Sequence, residues 1–199
     1  MHPRGAVFDA VLERVGGVPP CGVPWLDEPA RELVVVRLSR GAGLPAALPD
    51  VLGLAIRIPS DDAPVDLLLS SAGRSPLGRL LPAPRRDAAT SYSSIMGYRS
   101  DAGVIRMAAF ADVDDAPSEP ASLAAAVRRN GLGFSLALAP GLGPWRTFAR
   151  LTLGPPRDPL DCDIRFDAVL KPPPGLQPDG PLARLRLPAY ARARAESRA

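Results

Sequence analysis

The chain has 199 residues, 46% apolar and 23% charged, enough to bury a core, so one domain spanning 1–199 is expected and a disordered tail is excluded. Its 25 prolines and 18 glycines are scattered without a period, which excludes collagen and long helical bundles and favours short strands joined by turns. The net charge is only +3, with Lys171 the single lysine among 24 basic residues, and does not demand a nucleic-acid partner.

In chain order, residues 6–15 alternate Val7, Asp9, Val11 and Glu13 against Phe8, Ala10, Leu12 and Arg14, which fits a strand and also a short amphipathic helix. Residues 33–39 (LVVVRLS) form a continuous run rich in β-branched residues. Residues 52–58 and 65–70 read as a hairpin across the polar turn 59–64. A glycine, proline and arginine loop fills 73–87, and strands follow at 104–111, 133–139, 147–153 and 163–170, about eight in all. A helix is expected over 122–129, opened by Pro120 and stopped by Asn130-Gly131. Residues 171–179 contain Pro172-Pro173-Pro174-Gly175 and read as an extended connector, because proline cannot donate to a ladder. A second helix follows Pro181. The fold class is therefore mainly β with a few helices, an antiparallel barrel or sandwich. An eight-stranded barrel has an interior just wide enough for side chains or one ligand.

Much chemistry is missing from this sequence. His2 is the only histidine, which excludes metal sites built from several histidines, and no Walker A, GxGxxG or GxSxG pattern occurs. Aromatic residues make up only 5%, little material for stacking nucleic-acid bases. Asp61-Asp62 and Asp114-Asp115 lie in turn-like stretches and read as solvated pairs. Cys21 and Cys162 lack any metal-ligand spacing and read as reduced fillers. No run approaches the roughly 20 apolar residues of a membrane span and no signal core opens the chain, so a cytoplasmic location is expected.

After Pro181, Arg184, Arg186, Arg192, Arg194 and Arg198 face only Glu196, a patch that suits an anion or a solvated helix face. On a helix, Arg186 and Tyr190 stand one turn apart, so the guanidinium can donate to the phenolic oxygen. A fixed positive charge there favours the phenolate, an oxygen able to ligate ferric iron. An ordinary amphipathic helix packing its tyrosine on a barrel fits the same spacing.

Together with the proline-rich stretch before it, Arg186-x-x-x-Tyr190 resembles the proximal haem motif of the catalase superfamily. Other segments match in the same order along the chain. His2-Pro3-Arg4-Gly5-Ala6 resembles the family's distal His-Ala-Lys-Gly segment, and Val36-Arg37-Leu38-Ser39 its Val-Arg-Phe-Ser strand. Pro49-Asp50-Val51-Leu52-Gly53-Leu54-Ala55-Ile56-Arg57 is similar to the Arg-Asp-Val-Arg-Gly-Phe-Ala-Val-Lys run, and residues 66–70 to Asp-Leu-x-Gly-Asn. Residues 92–99 (YSSIMGYR) are similar to a segment of small catalase-related proteins.

The resemblance implies an eight-stranded antiparallel barrel in 1–170, followed by the connector and proximal helix in 171–199. It implies haem b with Tyr190 as iron ligand and Arg186 as its charge partner. His2 would be the distal acid and base, with Ser39 hydrogen-bonded to it. Arg37, assisted by Arg194, would meet a haem propionate. Hydrogen peroxide or an organic hydroperoxide would be the small-molecule substrate, through peroxidase or hydroperoxide-rearranging chemistry. Members of the family are often homo-oligomers. Ser70 replaces the family's distal asparagine, which weakens the expectation of true catalase turnover and keeps a non-enzymatic haem or apolar-ligand carrier as the alternative. Only Met1 precedes His2 where the family has an arginine, and the helical domain of large catalases has no counterpart.

Overall fold

The computed structural model describes residues 4–60, 63–162 and 164–180. Among them, ten strands form one sheet: β1 (Arg4–Arg14), β2 (Ala30–Arg40), β3 (Leu52–Ile58), β4 (Val65–Ser71), β5 (Ser91–Ser93), β6 (Gly97–Ser100), β7 (Gly103–Ala111), β8 (Gly133–Pro140), β9 (Arg146–Pro156) and β10 (Gln177–Asp179). The order is β10-β6-β7-β5-β4-β3-β2-β1-β9-β8, every pairing is antiparallel, and a further pairing of β7 with β8 closes the sheet. The closed ring therefore contains β1 to β5 and β7 to β9, eight strands, with β6 and β10 as a side extension.

Alternation explains the closure. In β1, Ala6, Phe8, Ala10 and Leu12 are buried in the core while Asp9 and Glu13 are exposed, the period of two that a strand requires, so the helical alternative for 6–15 is not adopted. The same inward set recurs as Val34, Val36 and Leu38 on β2, and as Leu52, Leu54 and Ile56 on β3. Phe8, Phe134 and Phe148 are at most 1% exposed, and Tyr92 meets Phe134 edge-on at 5.9 Å.

Two helices pack apolar residues into the core. In α1 (Pro24–Asp27), Leu26 is buried, and the Asp27 carboxylate accepts from the N–H groups of Cys21, Gly22 and Val23. In α2 (Pro120–Asn130), the Glu119 carboxylate accepts from Ser122 N–H, Leu123, Ala124 and Val127 reach the core, and Gly131 at φ 72° ends the helix. Cys21 and Cys162 are unbridged.

Three sequence readings are corrected. Residues 164–170 form no strand: they alternate apolar and polar residues, but side chains of β3 and β4 hold them in place of a ladder. The eighth strand of the ring is instead β5, a three-residue strand in a stretch of serines that carries little periodic signal. The connector 171–179 is not extended throughout: Leu176 N–H closes a turn on the Pro173 carbonyl with Gly175 at φ 78°, and only its last residues run extended, pairing with β6 as β10, with Pro178 at the sheet edge where proline is tolerated. The helix expected after Pro181 lies outside the described residues.

Candidate functional site

Apolar side chains fill the barrel interior, so a ligand surface has to be sought on the outer faces of the strands. Register alone decides what those faces carry. Gly5 pairs with Ser39, Ser39 with Gly53, Gly53 with Ser70, and Ser70 with Ser93. The row continues through Ala108 to Ala137. One lateral row thus crosses seven strands with nothing larger than serine. The adjacent outer row is Val7, Arg37, Ala55 and Leu68. Beyond it lie Asp9, Val35, Arg57 and Asp66.

At the β5 end this row is covered by the segment 74–80. Ser93 Oγ donates to the Arg79 carbonyl, the Arg74 guanidinium lies 4.7 Å from the Phe110 ring centre, and that of Arg79 lies 4.1 Å from the Trp145 ring centre. At the β1 end the row runs through Gly5, Ser39, Gly53 and Ser70, of which only Ser70 is more than slightly exposed.

The opposite margin is fenced by a strap, residues 157–162 and 164–171, tied to the outer faces of β1 to β4. Arg157 N–H donates to the Val7 carbonyl, Val7 N–H to the Leu160 carbonyl, and the Arg157 guanidinium reaches Asp9 Oδ1 at 2.7 Å. Arg37 Nε and Nη2 reach the two carboxylate oxygens of Asp161, each at 2.8 Å. Arg57 holds Asp66 by two 2.7 Å bonds, and the fully buried Asp66 carboxylate also accepts from Asp167 N–H at 2.8 Å. Phe166 stacks beneath Arg57, ring centre to guanidinium 5.0 Å.

Of the residues singled out from sequence, Ser39 and Ser70 share the small-residue row, separated by Gly53, and Arg37 stands two residues before Ser39 on the same face of β2. The structure therefore brings these three together. His2, Arg186, Tyr190 and Arg194 lie outside the described residues. Sequence reasoning missed Asp161, which meets Arg37 across 124 residues, and Gly5, whose lack of a side chain gives Arg37 room: a Cβ there would lie 2.6 Å from the guanidinium carbon. A loop aspartate carries no local signal of a distant partner. Trp25 packs on Phe148 in the core, and Trp145 is the platform for Arg79. Among the described residues, no three histidine, cysteine or acidic side chains gather as a metal-ligand cluster. No helix among them is long and apolar enough to cross a membrane.

No family model and no curated protein sequence matches the chain. Solved structures do. A fungal catalase superposes with a TM-score of 0.70 at 14% identity, covering 96% of this chain and 58% of its own. Catalase A from Saccharomyces cerevisiae superposes with a TM-score of 0.65 at 13% identity, covering 96% of this chain and 59% of its own. The fold is thus a small catalase-like barrel, and the chain spans under three fifths of the length of those catalases.

Proposed function

We propose that this catalase-like barrel is a haem protein acting on hydrogen peroxide or an organic hydroperoxide, with the haem lying against the small-residue row on the outside of β1 to β4. The carrying observation is the combination of a filled interior with an outer row, Gly5, Ser39, Gly53 and Ser70, that carries nothing larger than serine and has the Arg37 guanidinium set over Gly5. Small side chains beside one cation suit a planar group with acidic edges. Register also supports the distal assignment, because the strand that follows His2 directly adjoins Ser39 through Gly5.

The resemblance to catalases implies a tyrosine as proximal ligand, and burial narrows which tyrosine could serve. The chain has three tyrosines. Tyr92 and Tyr98 are at most 1% exposed within the core, and the Tyr92 hydroxyl, its pKa raised by burial, donates to the Ala88 carbonyl. Only Tyr190 is left to serve an iron outside the barrel, with Arg186 favouring its phenolate. Haem, if bound, would supply redox-active iron for hydroperoxide chemistry. His2 would take the proton from one peroxide oxygen and return it to the other, Ser39 would fix the imidazole, and Arg37 with Arg194 would face the propionates.

Replacing Tyr190 with phenylalanine should abolish stoichiometric haem binding and leave the circular dichroism spectrum unchanged; undiminished haem affinity would remove the proposal. One feature favours the carrier alternative. Ser70 offers a hydroxyl where the resemblance implies the family's distal asparagine. His2→Ala separates the readings: the enzyme reading expects peroxide consumption to fall about 100-fold or more, the size of a general acid and base contribution, and the carrier reading expects no change.

A further inference from the structure

Arg37 is the one cationic side chain in the two outer rows formed by Gly5, Ser39, Gly53 and Ser70 and by Val7, Arg37, Ala55 and Leu68. Within these two rows Arg37 is the cation that an acidic group on a ligand lying over them could meet. Yet its guanidinium is already engaged side-on by Asp161, Nε and Nη2 each at 2.8 Å, with the two side chains 11% and 35% exposed. Three positions make that pair possible: the arginine, the aspartate, and Gly5, where any side chain would meet the guanidinium.

We propose that Asp161 is an internal occupant of Arg37 that must yield or share the guanidinium when a carboxylate-bearing ligand binds, and so sets the ligand's affinity. This rests on the haem reading above, whose ligand carries two carboxylates. A second carboxylate brought to the same guanidinium meets the charge of Asp161, and like charges at that range oppose ionisation and approach alike. Release is feasible without unfolding the strap. It is anchored before Asp161 by Arg157 on Asp9 and by the Val7 to Leu160 bond, and after it by Asp167 on Asp66 and by Arg57. Asp161 can therefore swing away while both flanks stay in place.

The test is a titration of ferric protoporphyrin IX, and in parallel its dimethyl ester, into wild type, Asp161→Asn and Arg37→Gln, followed by Soret absorbance. Asp161→Asn should bind the diacid about two- to fivefold more tightly, the range of one partly exposed charge pair, and bind the diester unchanged. Arg37→Gln should erase the preference for the diacid. Equal or weaker diacid binding by Asp161→Asn would overturn the inference and assign Asp161 to positioning Arg37. Asp161→Ser is a second neutral variant should the amide misfold. If wild type takes up neither porphyrin, the haem reading itself fails; if wild type binds and Tyr190→Phe does not, that reading stands whatever Asp161 does.

Discussion

Ile95 holds φ at 59°, the left-handed region that a β-branched residue rarely enters, and it is only 4% exposed. Serine hydroxyls sustain the bend. Ser93 Oγ accepts from Ile95 N–H at 3.2 Å, while Ser94 Oγ donates to the Met96 carbonyl and accepts from Met107 N–H, so the break between β5 and β6 leaves these groups paired. Relief of left-handed strain is worth about 1–2 kcal/mol, but emptying a buried isoleucine costs about 2–5 kcal/mol. Ile95→Gly should therefore lower stability by about 1–3 kcal/mol, read from the urea midpoint. A raised midpoint would mean that strain outweighs packing there. Residue-level legibility was uneven: Arg37, Ser39 and Ser70 were visible because short motifs carry them, whereas the Arg37 partner Asp161 depends on a 124-residue closure.

At the scale of elements, the loop between β2 and β3 shows how a barrel end is sealed by buried charge. Arg40 and Asp50 are 1% and 2% exposed and 3.8 Å apart, and Arg40 donates to Ser118 Oγ and to the carbonyls of Pro45 and Leu48. Burial pushes the Asp50 carboxyl up, but the N–H groups of Ala42, Leu44 and Val51 and the charge of Arg40 outweigh it, and its pKa is lowered overall. A carboxylate whose folded pKa lies below its unfolded value stabilises the fold above the unfolded value, and that stability is lost as pH falls through the folded one. Stability should thus hold at neutral pH and decline below about pH 4, and Asp50→Asn should be less stable at pH 7 with a shallower acid decline. Parallel denaturation curves at pH 7 and pH 3 check this; an equal acid loss in both proteins would exclude Asp50 as a contributor. Alternation made β1, β3 and β7 legible in the sequence, and proline marked the connector. It misled at 163–170, because residues 164–170 alternate apolar and polar residues as a strand does, while their backbone is held by the side chains of Arg57 and Asp66 and only Ala168 among them is buried.

For the whole molecule, closure of eight strands around an apolar filling turns function outward. The small-residue row, the strap along its margin and the Arg37–Asp161 pair are consequences of register and long-range contact, which is why the barrel and the residues Arg37, Ser39 and Ser70 were readable from sequence and their neighbours on this candidate face were not. The Tyr190 proposal is tested most directly by the absorption spectrum of the protein expressed with haem precursor, beside that of Tyr190→Phe. The account predicts a stoichiometric Soret band with a high-spin tyrosinate charge-transfer pattern in the wild type, absent from the variant. A wild type that takes up no haem, or a variant that keeps the same spectrum, would contradict it.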